Sequence, residues 1–205
     1  MSASRAPRRP VTRRRATVSA VGAAVAALAL SACGSGGADG GSSDTKFVSG
    51  PGGIDTVAKA DRTAAPLLAG EKLGGGRIDL ADYRGKIIVL NVWGSWCAPC
   101  RAEATNLVKV ANETKADGVQ FVGINARDPN KAPAVKFEKE FKVPYPSLYD
   151  PVSKQMLRFP RGSLNPKAIP STIVIDRHGK IAARTLTALS EKNLRKMVDP
   201  LIAEK

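Results

Sequence analysis

The chain has 205 residues and a formal net charge of +14, with three cysteines and one histidine. Its lysines and arginines are scattered through amphipathic segments and form no stripe interleaved with aromatic residues, so we expect no nucleic-acid partner. These cysteines and the histidine do not supply four ligands at the spacing of a zinc site, and we expect neither a metal nor a cofactor. The cysteines are therefore the first candidates for a functional role.

The first 32 residues have the pattern of an export signal. A basic segment with six arginines and no acidic residue precedes a short apolar run from Val18 to Leu30. This run is shorter than the ~20 apolar residues that a membrane-spanning helix needs. It ends in Leu-Ser-Ala-Cys at 30–33, which resembles the lipobox of bacterial lipoproteins. We expect cleavage before Cys33 and lipidation of its thiol, with an ordinary secretory signal and twin-arginine export as the open alternatives.

Composition divides the chain into three segments. Residues 1–32 are the predicted lipoprotein signal peptide, and residues 33–64, poor in large apolar side chains, are a predicted Gly/Ser-rich tether. Residues 65–205 suffice for one domain with a hydrophobic core but not for two. Removal of the leader lowers the formal charge from +14 to +8, which suits a surface that faces anionic lipid. The predicted location is the extracytoplasmic face of the cell membrane, with the lipid as anchor.

Hydrophobic periodicity predicts alternating strands and helices from residue 77 onwards. The apolar run Ile87 to Trp93 indicates a central strand that is buried on both faces. In chain order we expect a strand at 77–80, a strand at 87–93, a helix at 99–115 and a strand at 119–125. A turn at the Asp-Pro pair 128–129 then leads into a helix that runs to residue 141. Paired strands at 171–176 and 181–184 follow, and the last element is a helix at 191–205 that Pro200 bends or frays. This order predicts an α/β, thioredoxin-like sandwich, with a central mixed sheet flanked by helices.

Two cysteines, Cys97 and Cys100, follow the predicted central strand and begin the next helix. A helix N-terminus has unpaired N–H groups and a partial positive charge, and both favour a thiolate over a thiol. Pro99 fits the first turn because its missing N–H would have no partner there. Since the thiolate is the species that attacks disulfides, the spacing predicts a redox-active cysteine pair.

The sequence Trp96-Cys97-Ala98-Pro99-Cys100 resembles the active site of the thioredoxin superfamily. Together with the lipoprotein leader, the segment Leu-Asn-Val-Trp-Gly-Ser at 90–95 and the step Ile-Pro-Ser-Thr at 169–172, it is similar to the TlpA/ResA family of membrane-tethered disulfide reductases. The resemblance implies that Cys97 attacks, that Cys100 is the buried resolving thiol, and that a cis peptide before Pro170 packs beside the disulfide. It also implies oxidised protein thiols as substrates, such as those of an apocytochrome c, and a membrane thiol carrier as electron donor.

Two polar residues near the cysteine pair distinguish this chain from thioredoxins proper. Asn91 stands where thioredoxins carry a buried aspartate, so that base is missing, as is usual among ResA-like proteins. Those proteins instead carry a glutamate three residues after the second cysteine, and Glu103 occupies this position. One helical turn separates Glu103 from Cys100, so its carboxylate can influence the thiols directly or through water. The alternative is that Glu103 only complements the helix dipole.

Other residues are expected to shape the site without taking part in the reaction. Trp93 is predicted to pack beneath the disulfide and Trp96 to shield it. The segment 159–168, several residues longer than in typical family members, is predicted to form a loop beside the site, with a role in partner choice or none. His178 lies in a predicted hairpin turn, where we expect it to be exposed.

Several other functions can be compared with this interpretation. A peroxiredoxin needs Pro-x-x-x-Thr-x-x-Cys, and neither Cys97 nor Cys100 has the required residues before it. A Cu(I)-binding metallochaperone remains an alternative because a reduced dithiol is a good soft ligand, although His178 is far from the pair in sequence. A disulfide-forming oxidase also remains open, because the pair Ala98-Pro99 does not fix the redox potential. The reducing direction is implied by the family resemblance alone.

Overall fold

Nine strands and three α-helices lie within residues 45–204, the part of the chain that the computed structural model describes. The helices are α1 (Ala98–Thr114), α2 (Lys131–Glu140) and α3 (Glu191–Ala203). The strands are β1 (Val48–Gly50), β2 (Ile54–Thr56), β3 (Ala69–Glu71), β4 (Arg77–Asp79), β5 (Ile87–Trp93), β6 (Val119–Ala126), β7 (Ser147–Asp150), β8 (Ser171–Ile175) and β9 (Ile181–Thr185). The predicted signal peptide, Cys33 and the first part of the predicted tether lie outside the described residues.

Seven strands form one mixed sheet in the order β1-β2-β9-β8-β5-β6-β7, and β3 pairs with β4 in a separate ribbon. Strand β5 runs parallel to β6 and antiparallel to β8, and β6 runs parallel to β7. This arrangement, with helices packed on the sheet, confirms the predicted α/β class. It also places the carboxyl end of β5, the amino end of α1 and the amino end of β8 at the same edge of the sheet.

The central strand β5 is buried along its whole length, as its apolar sequence predicts. Successive side chains point to opposite faces, so Ile87 and Val89 enter one core cluster while Ile88 and Leu90 enter another. The first cluster is shared with α1 and α3, and the second with the β3–β4 ribbon and the turn around Met156. Burial on both faces fixes β5 in the middle of the molecule, and the cysteine pair directly follows it.

The predicted tether is wrong from residue 45 onwards. Strands β1 and β2 form a hairpin there, and β2 joins the main sheet by pairing with β9, Ile54 opposite Thr185. Farther along, the guanidinium of Arg62 donates to Glu204 and Asp176, which fastens this segment to the end of the chain. These two strands have only three residues each, so they carry little periodic signal, and the sheet into which they pair supplies their stability.

Smaller differences concern element boundaries. Strands β3 and β7 were not predicted, since they have only three and four residues and depend on pairing with β4 and β6, respectively. Helix α2 begins at Lys131, after the predicted turn at 128–129, because the Asn130 side chain caps it by accepting from the Ala132 N–H. Pro200 lies inside α3, which continues to Ala203. Within residues 45–204, no helix is both long enough and apolar enough to cross a membrane.

Candidate active site

The cysteine pair forms a disulfide at the amino end of α1. Cys97 is the N-cap residue, and its sulfur accepts a hydrogen bond from the Cys100 N–H at 3.2 Å. Pro99 occupies the second position of the helix, where no backbone hydrogen bond is lost. The cap therefore directs a helix N–H at the sulfur that would carry negative charge in the reduced protein, and this contact favours the Cys97 thiolate.

The two cysteine residues are both buried and differ little in exposure. Cys97 is 3% exposed and Cys100 is 0% exposed. Both belong to a small apolar cluster that includes Trp93 and Phe137. Cys97 thus retains a small exposed surface, whereas Cys100 has none.

The peptide bond between Ile169 and Pro170 is cis, which confirms the geometry implied by the resemblance. The carbonyl oxygen of Ile169 lies 3.7 Å from the Cys97 sulfur. This places the start of β8 against the disulfide, although Pro170 is more than 70 residues from Cys97 in the chain. A substrate segment that reaches Cys97 must therefore pass beside this turn.

Glu103 is buried, with 1% of its surface exposed. One carboxylate oxygen accepts from the Asn91 side-chain amide at 2.9 Å, and the other accepts from the Leu189 N–H at 2.7 Å. The same Asn91 amide also donates to the Thr172 hydroxyl at 3.1 Å, two residues after the cis proline. Glu103 thus connects the cysteine helix to β5, to β8 and to the loop before α3.

The environment of Glu103 changes its protonation. Burial raises the pKa of its carboxyl from 4.5 to about 7, and the hydrogen bonds from Leu189 and Asn91 limit the rise. Glu103 forms no ion pair with any of residues 45–204. A carboxyl that is half protonated near neutral pH can exchange a proton at physiological pH, which a solvated side chain serving only the helix dipole would not do.

Trp93 packs beneath the site, as the sequence predicted. Its ring stacks on Phe137 of α2 with centroids 4.4 Å apart, and its indole N–H donates to the Ser147 hydroxyl at 3.4 Å. Gly123 of the neighbouring strand leaves room for this contact, because a methyl group there would overlap both side chains. These interactions fix the position of the Trp93 ring beneath the disulfide.

Asp128 has a role that the local sequence does not indicate, since the Asp-Pro pair at 128–129 predicts only a turn. Its buried carboxylate accepts from the Ser95 N–H at 2.9 Å, from the Ser95 hydroxyl at 2.5 Å and from the Asn125 amide at 2.6 Å. Ser95 lies two residues before Cys97, so Asp128 ties the approach to the cysteine pair to the end of β6. The only signal in the sequence was an acidic residue three positions after the end of a predicted buried strand.

Trp96, the predicted shield of the disulfide, is 50% exposed. Its indole lies over Gly94, where a methyl group would come within 2.6 Å of the ring nitrogen. The Arg127 guanidinium lies 5.0 Å from the centre of the Trp96 ring. Trp96 therefore forms part of the surface that an incoming protein would meet next to Cys97.

The segment 159–168 is not a simple surface loop. Phe159 is buried in the core cluster beside β5, and Ser163 is fully buried. The segment leads directly into Ile169, which contacts the cluster around the disulfide. Its apolar side chains thus help to hold the cis-proline turn in place.

No other part of the described chain competes as a reactive site. His178 is exposed in the turn between β8 and β9, as predicted, at the opposite end of β8 from Cys97. Within residues 45–204 there is no group of three or more metal-ligating side chains. A groove of about 300 Å³ lies between Leu80, Ile88 and Ile175, at the end of the sheet away from the cysteines. The cavity beside Cys100 measures only about 10 Å³, room for one water molecule at most.

The fold and the cystine at the start of α1 define the class of thioredoxin-fold thiol-disulfide oxidoreductases. Residues 62–184 match the AhpC/TSA family, and the chain belongs to that family. The peroxiredoxin cysteine pattern remains absent, because Leu90 and Gly94 stand at the required positions before Cys97. Family membership therefore supports the fold and gives no support to a peroxidase.

Similar proteins are thiol-disulfide exchange proteins by name. The thiol:disulfide interchange protein HelX of Rhodobacter capsulatus is 39% identical over 60% of this chain and 65% of its own length. The thiol-disulfide oxidoreductase ResA of Bacillus subtilis is 30% identical over 62% of this chain and 68% of its own. The crystal structure of a secreted thiol-disulfide isomerase from Corynebacterium glutamicum superposes with a TM-score of 0.71 at 33% identity, covering 78% of this chain and 99% of that one. The resemblance to TlpA/ResA-like proteins is thereby confirmed.

Proposed function

We propose that this protein reduces disulfide bonds of other proteins at the extracytoplasmic face of the cell membrane. The observation that carries the exchange chemistry is the buried carboxyl of Glu103, one helical turn after Cys100, with a pKa near 7. The reducing direction is inferred from the similarity to ResA-like proteins alone. A resolving thiol in an apolar cluster needs a proton acceptor, and Asn91 cannot serve as one. Glu103 supplies that group, and its hydrogen bonds to Asn91 and Leu189 hold it in place.

The reaction starts from the reduced protein and proceeds in two exchanges. The Cys97 thiolate attacks one sulfur of the substrate disulfide, and the other substrate sulfur leaves as a thiolate. The Cys100 thiol then gives its proton to Glu103 and attacks the Cys97 sulfur, which releases the second substrate sulfur. Protons from Glu103 and from water complete the two substrate thiols. The substrate gains two electrons, and the protein ends as the Cys97–Cys100 disulfide, the form that the structure shows.

The proposed substrate is the oxidised cysteine pair of an apocytochrome c. Haem is attached to such proteins through thioether bonds, which only free thiols can form. A membrane thiol carrier is the proposed donor that returns the disulfide to the dithiol. Support comes from the similarity to ResA-like proteins and from the names of the relatives as interchange proteins and oxidoreductases.

The proposed location follows from the leader and the lipobox at Cys33. Strand β1 begins at Val48, and Thr45 is already buried against the fold. We therefore limit the proposed tether to the residues between Cys33 and Thr45. A fully extended chain spans at most about 3.5 Å per residue, so this link reaches about 40 Å from the lipid. The description of a similar Corynebacterium protein as secreted agrees with export.

The substrate is tested by trapping. A Cys100→Ser variant of the full chain, expressed in its membrane, should retain targets as mixed disulfides on Cys97, because the resolving thiol is missing. The matched control carries Cys97→Ser as well and should retain none. Recovery of apocytochrome c from the single variant only would support the proposal, and equal recovery from both would contradict it.

The direction is tested by equilibration with glutathione buffers. We expect a midpoint potential nearer that of thioredoxin, about −270 mV, than that of a strong oxidant such as DsbA, about −120 mV. A midpoint near the second value would favour the oxidase alternative. Stable retention of one Cu(I) without turnover of any disulfide would favour the metallochaperone instead.

A further inference from the structure

Trp96 and Arg127 form a small exposed surface beside the reactive disulfide, here called the cationic rim. Trp96 directly precedes Cys97, and half of its surface is exposed. The Arg127 guanidinium lies 5.0 Å from the centre of the Trp96 ring, within the range of a cation–π contact. A protein whose disulfide reaches Cys97 must pass close to this surface.

The rim is held in a defined position. Arg127 has a backbone φ of 62°, a left-handed conformation that side chains other than Gly, Asn and Asp seldom adopt. The next residue, Asp128, fixes this turn through its two hydrogen bonds to Ser95 and its bond from Asn125. Because Ser95 lies just before Trp96, one carboxylate sets the position of both members of the rim.

Arg127 is exposed and makes no ion pair with any of residues 45–204. The neighbouring Asp128 carboxylate is buried and already engaged with Ser95 and Asn125. Arg101, also near the site on α1, shows the opposite arrangement, since it pairs with Glu140 and lies over Phe137. Among the residues that the structure describes, the rim therefore presents a cation with no carboxylate partner, next to an apolar ring.

We propose that the cationic rim binds protein substrates that carry an acidic side chain within a few residues of the disulfide to be exchanged. The substrate carboxylate would pair with the Arg127 guanidinium while neighbouring apolar atoms pack on Trp96. Arg127 is then a specificity-determining residue, since it acts on substrate position and not on the reacting sulfurs. This inference rests on the proposed exchange of disulfides with other proteins, and it identifies the kind of protein that is preferred.

The test uses two disulfide-bridged peptides that differ only in Glu or Gln two residues from a cysteine. The reduced wild-type protein should exchange with the Glu peptide about two- to fivefold faster in kcat/KM, the range expected for one exposed ion pair. The preference should lie in KM and should disappear at 1 M salt, where the screening length is about 3 Å. Arg127→Gln should abolish it, whereas Arg127→Lys, which keeps the charge, should retain it.

The matched control is Arg84→Gln, an exposed arginine at the end of the sheet away from the cysteines, which should leave the preference unchanged. Equal rates of the wild type on both peptides would overturn the proposal. So would an equal loss on both peptides in Arg127→Gln, because that would indicate a general structural defect. Thiol-disulfide exchange is reversible, so the ratio can be measured with the oxidised protein and peptide dithiols if the protein proves to be an oxidase. The rim and the direction of the reaction are thus tested separately.

Discussion

Replacement of Glu103 by Gln removes a buried charge while nearly preserving the shape of the side chain. The folded protein holds the Glu103 proton to a higher pH than the unfolded chain does, because burial raises the pKa from 4.5 to about 7. The stabilising contribution is therefore complete below pH 4.5 and is lost as the pH rises to about 7. At about 1.4 kcal/mol per pH unit, this span corresponds to about 3 kcal/mol in the free energy of unfolding.

The glutamine variant is neutral at every pH and carries no such dependence. We expect the free energy of unfolding of Glu103→Gln, relative to the wild type, to rise by about 3 kcal/mol between pH 4 and pH 8.5. Thermal unfolding of the two oxidised proteins should show this as a relative shift of about 6–12 °C in Tm. Taking the difference between the two proteins cancels the other titrating groups.

The matched control is Glu113→Gln, which lies on the same helix but is exposed and paired with Arg195 on the surface. Its stability relative to the wild type should change by less than about 1 kcal/mol over the same pH range. Parallel pH profiles for Glu103→Gln and the wild type would refute the reasoning, since they would mean that the folded protein does not retain this proton.

The same variant tests the role of Glu103 in the reaction. A nearby negative charge disfavours a thiolate, so its removal should shift the pH profile of Cys97 alkylation towards lower pH. Loss of the proton acceptor should at the same time slow the reduction of a disulfide substrate. Superimposable alkylation profiles would exclude Glu103 from the mechanism, even if the stability prediction were confirmed.

Three further predictions concern other parts of the chain. Limiting iodoacetamide should label Cys97 before its partner in the reduced protein, and peptide mapping that finds the reverse order would exchange the two roles. Cys33→Ala should yield an uncleaved or soluble product, and normal trimming with membrane fractionation would contradict the lipobox. Gly123→Ala should lower the free energy of unfolding by about 1–3 kcal/mol through overlap with side chains across the sheet. The control is Gly74→Ala, where the added methyl group meets open space, and it should leave the midpoint of a urea titration almost unchanged. Equal losses of stability in both variants would be inconsistent with overlap as the cause.

Local chemistry in the sequence was enough to predict the centre of the molecule. A nearly continuous apolar run, six of the seven residues from Ile87 to Trp93, indicates a strand buried on both faces, and the structure places β5 there. A cysteine that can cap a helix and a proline in the first turn lie within a few residues of each other. This local pattern was enough to predict the start of α1. The cis bond before Pro170 was predicted from the resemblance, and the structure confirms it.

The sequence alone determined the fold class and the cysteine pair, because the strand and helix patterns and the spacing of the two cysteines are local. The candidate importance of Glu103 came from the family resemblance together with its position one helical turn after Cys100. Only the tertiary structure decided that Glu103 is buried, since its partners Asn91 and Leu189 lie 12 and 86 residues away. It also decided that the hairpin at residues 48–56 belongs to the sheet, because β2 pairs with β9 near the other end of the chain and β1 pairs with β2. Burial and long-range hydrogen bonds depend on how distant segments pack, and no local pattern in a single sequence records them.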